Sequence, residues 1–243
     1  KITSLADGTA ANGSASALTA TDTAAIGLAG VDSAAELTLF NEMIDASQIG
    51  TVDTYAELSA IARAVQAILL TAAGGTPNPA LSVADYEVLG ITGLDSSSLS
   101  FMVTQLAATA DNGSGVDSLA EIQTLANTAA AQAATAAALN LISSYDGTNQ
   151  APVLSTYSTA GVTGVSSANL TLVNSYVAAL TPAQSDSTAE VQATVDALAK
   201  LASIADAAPN TGAALTAADL TALGVSNLGN NPAKLSLLNS ILD

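Results

Sequence analysis

The sequence predicts an all-α protein built as a tandem array of small three-helix bundles, with a repeat of about 62–71 residues. Three phrases recur in a fixed order along the chain, as expected of repeat architectures. The first, typified by "LTAADLTALGV", starts at Leu18, Leu81, Pro152 and Leu215. The second, typified by "LTLFNEMI", starts at Leu37, Leu99, Leu170 and Leu235. The third, typified by "DSLAEIQTL", starts at Asp53, Asp117 and Asp186.

The first phrase predicts a short helix. A hydroxyl residue stands three positions before an aspartate at Thr19 and Asp22, at Ser82 and Asp85, and at Thr216 and Asp219. The hydroxyl suits the helix N-cap, and the carboxylate suits the positive end of the helix dipole. A glycine follows each copy, at Gly27, Gly90, Gly161 and Gly224, and fits the left-handed position that ends a helix.

The second and third phrases predict a middle helix and a longer third helix. Apolar residues of the middle helix recur at i, i+3 and i+7, as in Leu37, Phe40 and Ile44. The third helix opens with a capping box, at Thr54 and Glu57, Ser118 and Glu121, and Ser187 and Glu190; Ser33 and Glu36 start the first middle helix in the same way. Leu58, Ile61, Val65 and Ile68 mark one apolar face of the third helix.

Stretches rich in Pro, Gly and Asn divide the chain into repeats. The predicted segments are a tail of a preceding repeat (1–7), a linker (8–17), repeat 1 (18–73), a linker (74–80), repeat 2 (81–145), a linker (146–151), repeat 3 (152–206), a linker (207–214) and a two-helix partial repeat 4 (215–243). "KITSLAD" at Lys1 matches "KLASIAD" at Lys200, so we expect an excerpt from a longer array, with a missing helix supplied by a different segment as the alternative. The linkers allow the repeats either to stack rigidly on one another or to hang as separate beads.

The order of the motifs resembles the GA module of bacterial surface proteins. The resemblance rests on a helix ending in "ALGVSN" (222–227), a middle helix "LSLLNSIL" and a capped start such as "DTYAEL". The repeats are also similar to the Ala/Thr-rich tandem repeats of giant bacterial surface adhesins. The resemblance implies a three-helix bundle. Some GA modules bind serum albumin through helix two, but "LTLFNEMIDAS" lacks the Lys and Tyr positions of that helix, so albumin binding is not implied.

Composition excludes several classes of function. The chain has a net charge of −17, four basic residues, and no Cys or His, which removes disulfides, thiolate metal sites and the usual nucleophile–base pairs. Four scattered cations cannot follow a phosphate backbone, so nucleic acid is not an expected partner. The sequence contains no run of about 18 strongly apolar residues, so a transmembrane helix is not expected. An acidic, Lys-poor, Ala-, Ser- and Thr-rich chain is typical of secreted bacterial surface proteins, so we expect an extracellular or cell-surface location.

No catalytic, cofactor-binding or metal-binding residue is predicted. The acidic residues match no EF-hand or nonapeptide calcium loop and are explained mainly as helix caps, with calcium between chains as an alternative. "DNGSG" (111–115) lacks the lysine of a phosphate loop, and nothing places two carboxylates across a cleft for glycoside hydrolysis. The sequons at Asn12, Asn112 and Asn169 are interpreted as chance triplets. Tyr55, Tyr86, Tyr157 and Tyr176 are expected to close the small cores rather than to form a sugar-binding platform.

These observations favour a structural or adhesive protein rather than an enzyme. We expect it to act by extension and self-assembly into a filament, sheath or surface layer, with neighbouring repeats or subunits as partners. The alternative is a binding module that captures a host or environmental protein through an exposed helix face, and another surface protein or a polysaccharide is a further candidate partner. Assembly predicts apolar residues on faces that a lone bundle leaves exposed.

Overall fold

The regular elements in the part of the chain that the structure describes are helices, which confirms the all-α class. The computed structural model describes residues 1–6, 8, 16–109, 115–205, 213–225 and 231–242. These residues contain no β-strand, and none of their helices is both long and apolar enough to cross a membrane. Their helices are α1 (Ile2–Leu5), α2 (Ala20–Ala25), α3 (Ala34–Ala46), α4 (Tyr55–Ala72), α5 (Val83–Val88), α6 (Leu99–Ala107), α7 (Leu119–Ser143), α8 (Leu154–Thr159), α9 (Leu170–Val177), α10 (Thr188–Ile204), α11 (Ala217–Ala222) and α12 (Pro232–Leu242).

Helix lengths recur in the order short, middle and long. Helices α2, α3 and α4 have 6, 13 and 18 residues. Helices α5, α6 and α7 have 6, 9 and 25 residues, and α8, α9 and α10 have 6, 8 and 17. Helices α11 and α12, with 6 and 11 residues, repeat the first two members of the series. Each phrase of the sequence therefore corresponds to one kind of helix.

The predicted helix starts and stops are confirmed. Complete capping boxes lie at the starts of α2, α3, α4, α5, α10 and α11, with Thr19, Ser33, Thr54, Ser82, Ser187 and Thr216 as caps. At the start of α7, the Glu121 N–H donates to Ser118 Oγ at 3.3 Å. Glycine follows α2, α5, α8 and α11 with φ between 74° and 78°, a backbone conformation that side-chain-bearing residues rarely adopt.

The helices form two compact units, residues 1–133 and 134–243. In the first unit, the predicted middle-helix positions Phe40, Ile44, Met102 and Leu106 are fully buried against the third-helix positions such as Ile61. In the second unit, Val173 and Val177 of α9 are buried with Val191, Val195 and Leu198 of α10. Leu235, Leu238 and Leu242 of α12 pack, partly buried, on a smaller cluster of Ile204, Leu215 and Leu220.

The tyrosines divide into two groups. Tyr86 and Tyr157 are buried, at 1% and 0% exposure, and Tyr176 packs partly buried against the core of the second unit. The prediction is wrong for Tyr55, which is 59% exposed because it is the first residue of α4 and follows the cap on the solvent side. Its hydroxyl donates to the Gly27 carbonyl at 3.1 Å, so it joins α4 to the turn after α2 without entering the core.

Some predicted features fall on residues outside the described part of the chain. They include most of the linkers 8–17 and 207–214, most of the "DNGSG" segment, the end of "ALGVSN" and the sequons at Asn12 and Asn112. The third sequon is described: Asn169 Oδ1 accepts a hydrogen bond from the Ser166 N–H at 2.7 Å just before α9.

Candidate assembly site: recurring contacts between helices

Ion pairs join a long helix, or its counterpart at the start of the chain, to the short helix that follows it. Lys1, which precedes α1, lies 2.6 Å from Asp22 at the start of α2. Arg63 of α4 pairs with Asp85 of α5. Lys200 of α10 approaches both carboxylate oxygens of Asp219 of α11, at 2.8 and 2.9 Å. Three of the four basic residues in the sequence therefore contact an aspartate that also caps the start of its own helix.

The capping and pairing of these aspartates favour their ionised form. For Asp219, burial raises the pKa, but hydrogen bonds from Lys200 and Thr216 outweigh burial and leave the pKa below its usual value. For Asp22, hydrogen bonds from Lys1 and Thr19 lower the pKa strongly. Each carboxylate is therefore charged at neutral pH and can serve two helices at once.

The short helix α8 is attached without charge. Thr156 replaces the aspartate at its first turn and accepts the Val153 N–H through Oγ1 at 3.2 Å. The preceding long helix, α7, contains no Lys or Arg. Instead, the Thr135 hydroxyl donates to the Thr159 carbonyl at 3.1 Å. The acid is thus absent from α8 and the cation is absent from α7, as expected if their main role is to pair with each other.

An asparagine in the middle helix fixes the residue before the short helix. Asn41 accepts the Leu18 N–H at 2.6 Å and donates to the Leu18 carbonyl at 2.9 Å. Asn239 makes the same two bonds with Leu215, at 2.8 and 3.0 Å. A side-chain amide has one donor group and one acceptor, so it can satisfy both backbone groups as a neighbouring strand would.

Asn174 occupies the equivalent position with a modified pattern. Pro152 has no N–H, so Asn174 donates to the Pro152 carbonyl at 2.9 Å and accepts the Tyr157 hydroxyl at 2.6 Å. The Tyr157 hydroxyl is therefore satisfied in a fully buried position, where burial raises the pKa of the phenol.

A glutamine in the long helix fixes the turn after the short helix. Gln123 accepts the Thr92 N–H and donates to the Thr92 carbonyl, both at 3.0 Å. Gln192 makes the same pair of bonds with Thr163, at 2.8 and 3.3 Å. In α4, Ser59 stands at the corresponding position of the sequence phrase, and Gln66, two turns later, donates to the Ala29 carbonyl at 2.9 Å.

Valine at position 103 interrupts the asparagine series, and we expect Val103→Asn to stabilise the protein by about 1 kcal/mol. Tyr86 and Val103 are spaced like Tyr157 and Asn174, and the buried Tyr86 hydroxyl has no partner among the described residues. The new amide would satisfy it, and Val103 is already 50% exposed, so little apolar burial is lost. Urea unfolding measures the gain. A Tyr86→Phe background is the control, because the gain from bonding the hydroxyl should disappear there.

No family model, curated protein or solved structure matches the chain. The resemblance to GA modules and adhesin repeats therefore stays a prediction that rests on the motifs.

The first unit also contains a groove of about 950 Å³. It lies between the end of α3, the start of α4, the end of α5 and the start of α7. Met43, Leu89 and Ile91 contribute apolar lining, and Glu42, Glu57 and Glu87 contribute carboxylates. None of the described residues that line it is basic. The groove is thus both apolar and negatively charged.

The carboxylates of the groove differ in their environments. Glu57 belongs to the capping box of α4, where hydrogen bonds from Thr54 lower its pKa. Glu42 is half-buried, and this burial, with the nearby charges of Asp117, Glu121 and Asp45, raises its pKa although the Leu119 amide bonds to it. Glu87 is exposed. A cation beside Glu42 would offset the repulsion from Asp117, Glu121 and Asp45.

The sequence reasoning did not single out Glu42 or Glu87, although a signal was present. The residues equivalent to Glu42 in the other middle helices are Thr104, Ser175 and Ser240. Position 87 likewise carries the one charged residue among its equivalents, which include Thr221. Glu42 accepts a hydrogen bond from the Leu119 amide at the start of α7, whereas Glu87 is exposed near the end of α5. In the described residues no three acidic side chains gather closely enough to hold a metal ion.

Proposed function

We propose that this chain is a structural or adhesive protein of a bacterial surface or extracellular matrix, whose helical repeats provide extension and self-assemble into a filament, sheath or surface layer. The observation that carries the proposal is the recurring ion pair to the capping aspartate of a short helix, from the long helix before it in two cases and from Lys1 in the third. A contact that is rebuilt from one repeat to the next suits a chain whose stability is the sum of repeats and their neighbour interfaces.

Two further features support assembly over chemistry. The contacts described above use carboxylates, amides and hydroxyls to fix helices, so most polar side chains of the repeats already have structural partners. The net charge of −17 opposes unspecific association and leaves specific contacts to decide which surfaces meet. Apolar side chains nevertheless remain on the surface, with Leu237 and Ile241 at 61% and 70% exposure.

The test is the mass and shape of the purified chain in solution. Light scattering and electron microscopy over a range of concentrations, with and without calcium, are expected to show a mass that rises with concentration and particles of regular spacing. A calcium-dependent rise would indicate divalent cations between chains. Discrete monomers under all conditions would overturn the proposal and favour capture of another protein.

A further inference from the structure

One face of α12 combines a cation with exposed apolar side chains. Leu237 and Ile241 are the most exposed large apolar residues in the described part of the chain. Lys234, Leu237 and Ile241 are spaced at i, i+3 and i+7, which places them on one side of the helix. Leu235, Leu238 and Leu242 lie on the adjacent side, against the cluster of Ile204, Leu215 and Leu220.

Lys234 is the basic residue that stands apart from the ion pairs. Lys1, Arg63 and Lys200 each pair with a capping aspartate, whereas Lys234 is exposed and makes no ion pair with any described residue. On a chain of net charge −17, an unpaired ammonium beside two exposed aliphatic side chains is an unusual surface. We call the side chains of Lys234, Leu237 and Ile241 the α12 face.

The groove of the first unit has the complementary chemistry. Its lining includes Met43, Val88, Leu89 and Ile91, and its carboxylates come from Glu42, Glu57 and Glu87. Its volume of about 950 Å³ lies at the upper end of the range for ligand pockets, so it has room for several side chains. Glu87 is exposed and can meet a cation directly, and Glu42, which accepts the Leu119 amide, keeps further lone pairs for one.

We propose that the α12 face of one copy of this chain docks into the groove of a second copy, with the Lys234 ammonium beside Glu42 and Glu87 and with Leu237 and Ile241 on the apolar lining. This inference rests on the proposed function and names the surfaces that would carry it. The two surfaces differ, so the contact is heterologous. Such a contact continues from copy to copy and gives a ring or an open filament.

Charge reversal of each surface tests the proposal in the full chain. The groove variant is Glu42→Lys with Glu87→Lys, and the helix variant is Lys234→Glu. We expect each variant alone to associate on the order of tenfold more weakly than the wild type in analytical ultracentrifugation. An equimolar mixture is expected to recover association, because the helix variant keeps an acidic groove for the Lys234 of the groove variant.

Matched controls separate this contact from general charge effects. Asp32→Lys with Asp196→Lys changes the net charge as the groove variant does but lies outside the groove, and Ser236→Glu adds a charge to α12 away from the face. Circular dichroism melting checks that every variant folds. Leu237→Ser with Ile241→Ser is expected to weaken association without lowering the melting temperature, since both side chains are exposed.

The outcomes distinguish this inference from the function on which it rests. A wild type that associates equally well after charge reversal, or that is weakened equally by the controls, overturns the docking of α12 and leaves self-assembly standing. Association that is independent of concentration also overturns docking between copies. A wild type that is monomeric throughout overturns both.

Discussion

Replacing Asn174 with valine is expected to lower the free energy of unfolding of the second unit by about 2–4 kcal/mol. The change removes the acceptor of the Tyr157 hydroxyl and the donor to the Pro152 carbonyl, which lie at 2.6 and 2.9 Å. Tyr157 is fully buried, so water cannot replace the lost bond. Each buried polar group left without a partner costs about 1–3 kcal/mol. Urea unfolding monitored by circular dichroism measures the loss.

A double-mutant cycle assigns this loss to the hydrogen bond itself. Tyr157→Phe removes the hydroxyl, so adding Asn174→Val to it should cost less than Asn174→Val costs in the wild type. Asn140→Val is the matched control, because Asn140 lies exposed on α7. We expect a change within about 0.5 kcal/mol there. Fully additive effects of the two variants at 157 and 174 would show that the bond contributes nothing.

Replacing Asp219 with alanine is expected to cost about 2 kcal/mol, again in the second unit. Asp219 accepts hydrogen bonds from the Thr216 N–H at 2.8 Å and the Thr216 hydroxyl at 2.7 Å, and it pairs with Lys200. Loss of a cap costs typically about 1 kcal/mol, and loss of the charged bonds adds to it. The aspartate side chain is only 11% exposed, so solvent compensates little. Thermal and urea unfolding measure the difference.

Two variants on α10 separate the cap from the ion pair. Lys200→Ala removes the pair but leaves the capping box, and because the Lys200 side chain is 38% exposed we expect a loss below about 1 kcal/mol. Asp196→Ala removes an acid that contacts only Gln192 in the described structure, at 2.8 Å, and should change little. If Lys200→Ala cost as much as Asp219→Ala, the capping bonds of Asp219 would contribute nothing.

The capping aspartates Asp22 and Asp219 make the stability of the protein depend on pH. Their folded-state pKa lies below the unfolded value of about 3.9, so their contribution is complete above that value and is lost as the pH falls through the folded pKa. We therefore expect stability to fall progressively below about pH 4. Asp219→Ala should show a shallower decline than the wild type. An equally steep acid limb in both proteins would assign the decline to other carboxylates.

The sequence predicted local features better than contacts between distant residues. Caps such as Thr54 and Glu57 depend on residues three positions apart, so their chemistry is legible in the sequence. The bonds of Asn41 to Leu18 and of Gln123 to Thr92 join residues 23 and 31 positions apart, and only packing brings them together. The type of a side chain alone does not predict whether it is buried. Tyr55 has a large ring, but its position beside a helix cap places that ring in solvent.

The groove was missed for a related reason. Its carboxylates come from three helices, and no short motif contains more than one of them. A comparison of the repeats position by position would have marked Glu42 and Glu87 as acids without equivalents. That comparison would not have shown that both line the same groove, because α3 and α5 are separated along the chain by the whole of α4.

The neutral bond between Thr135 and Thr159 makes the chain respond unevenly to its surroundings. Dissolved salt screens partly exposed ion pairs such as that of Lys1 with Asp22, and acid discharges them, but neither acts on a hydroxyl bound to a carbonyl. In brine or at low pH, the attachment of α8 would keep its strength while those of α2, α5 and α11 loosen. Under such conditions, a pulling force would then detach α2, α5 and α11 before it detaches α8.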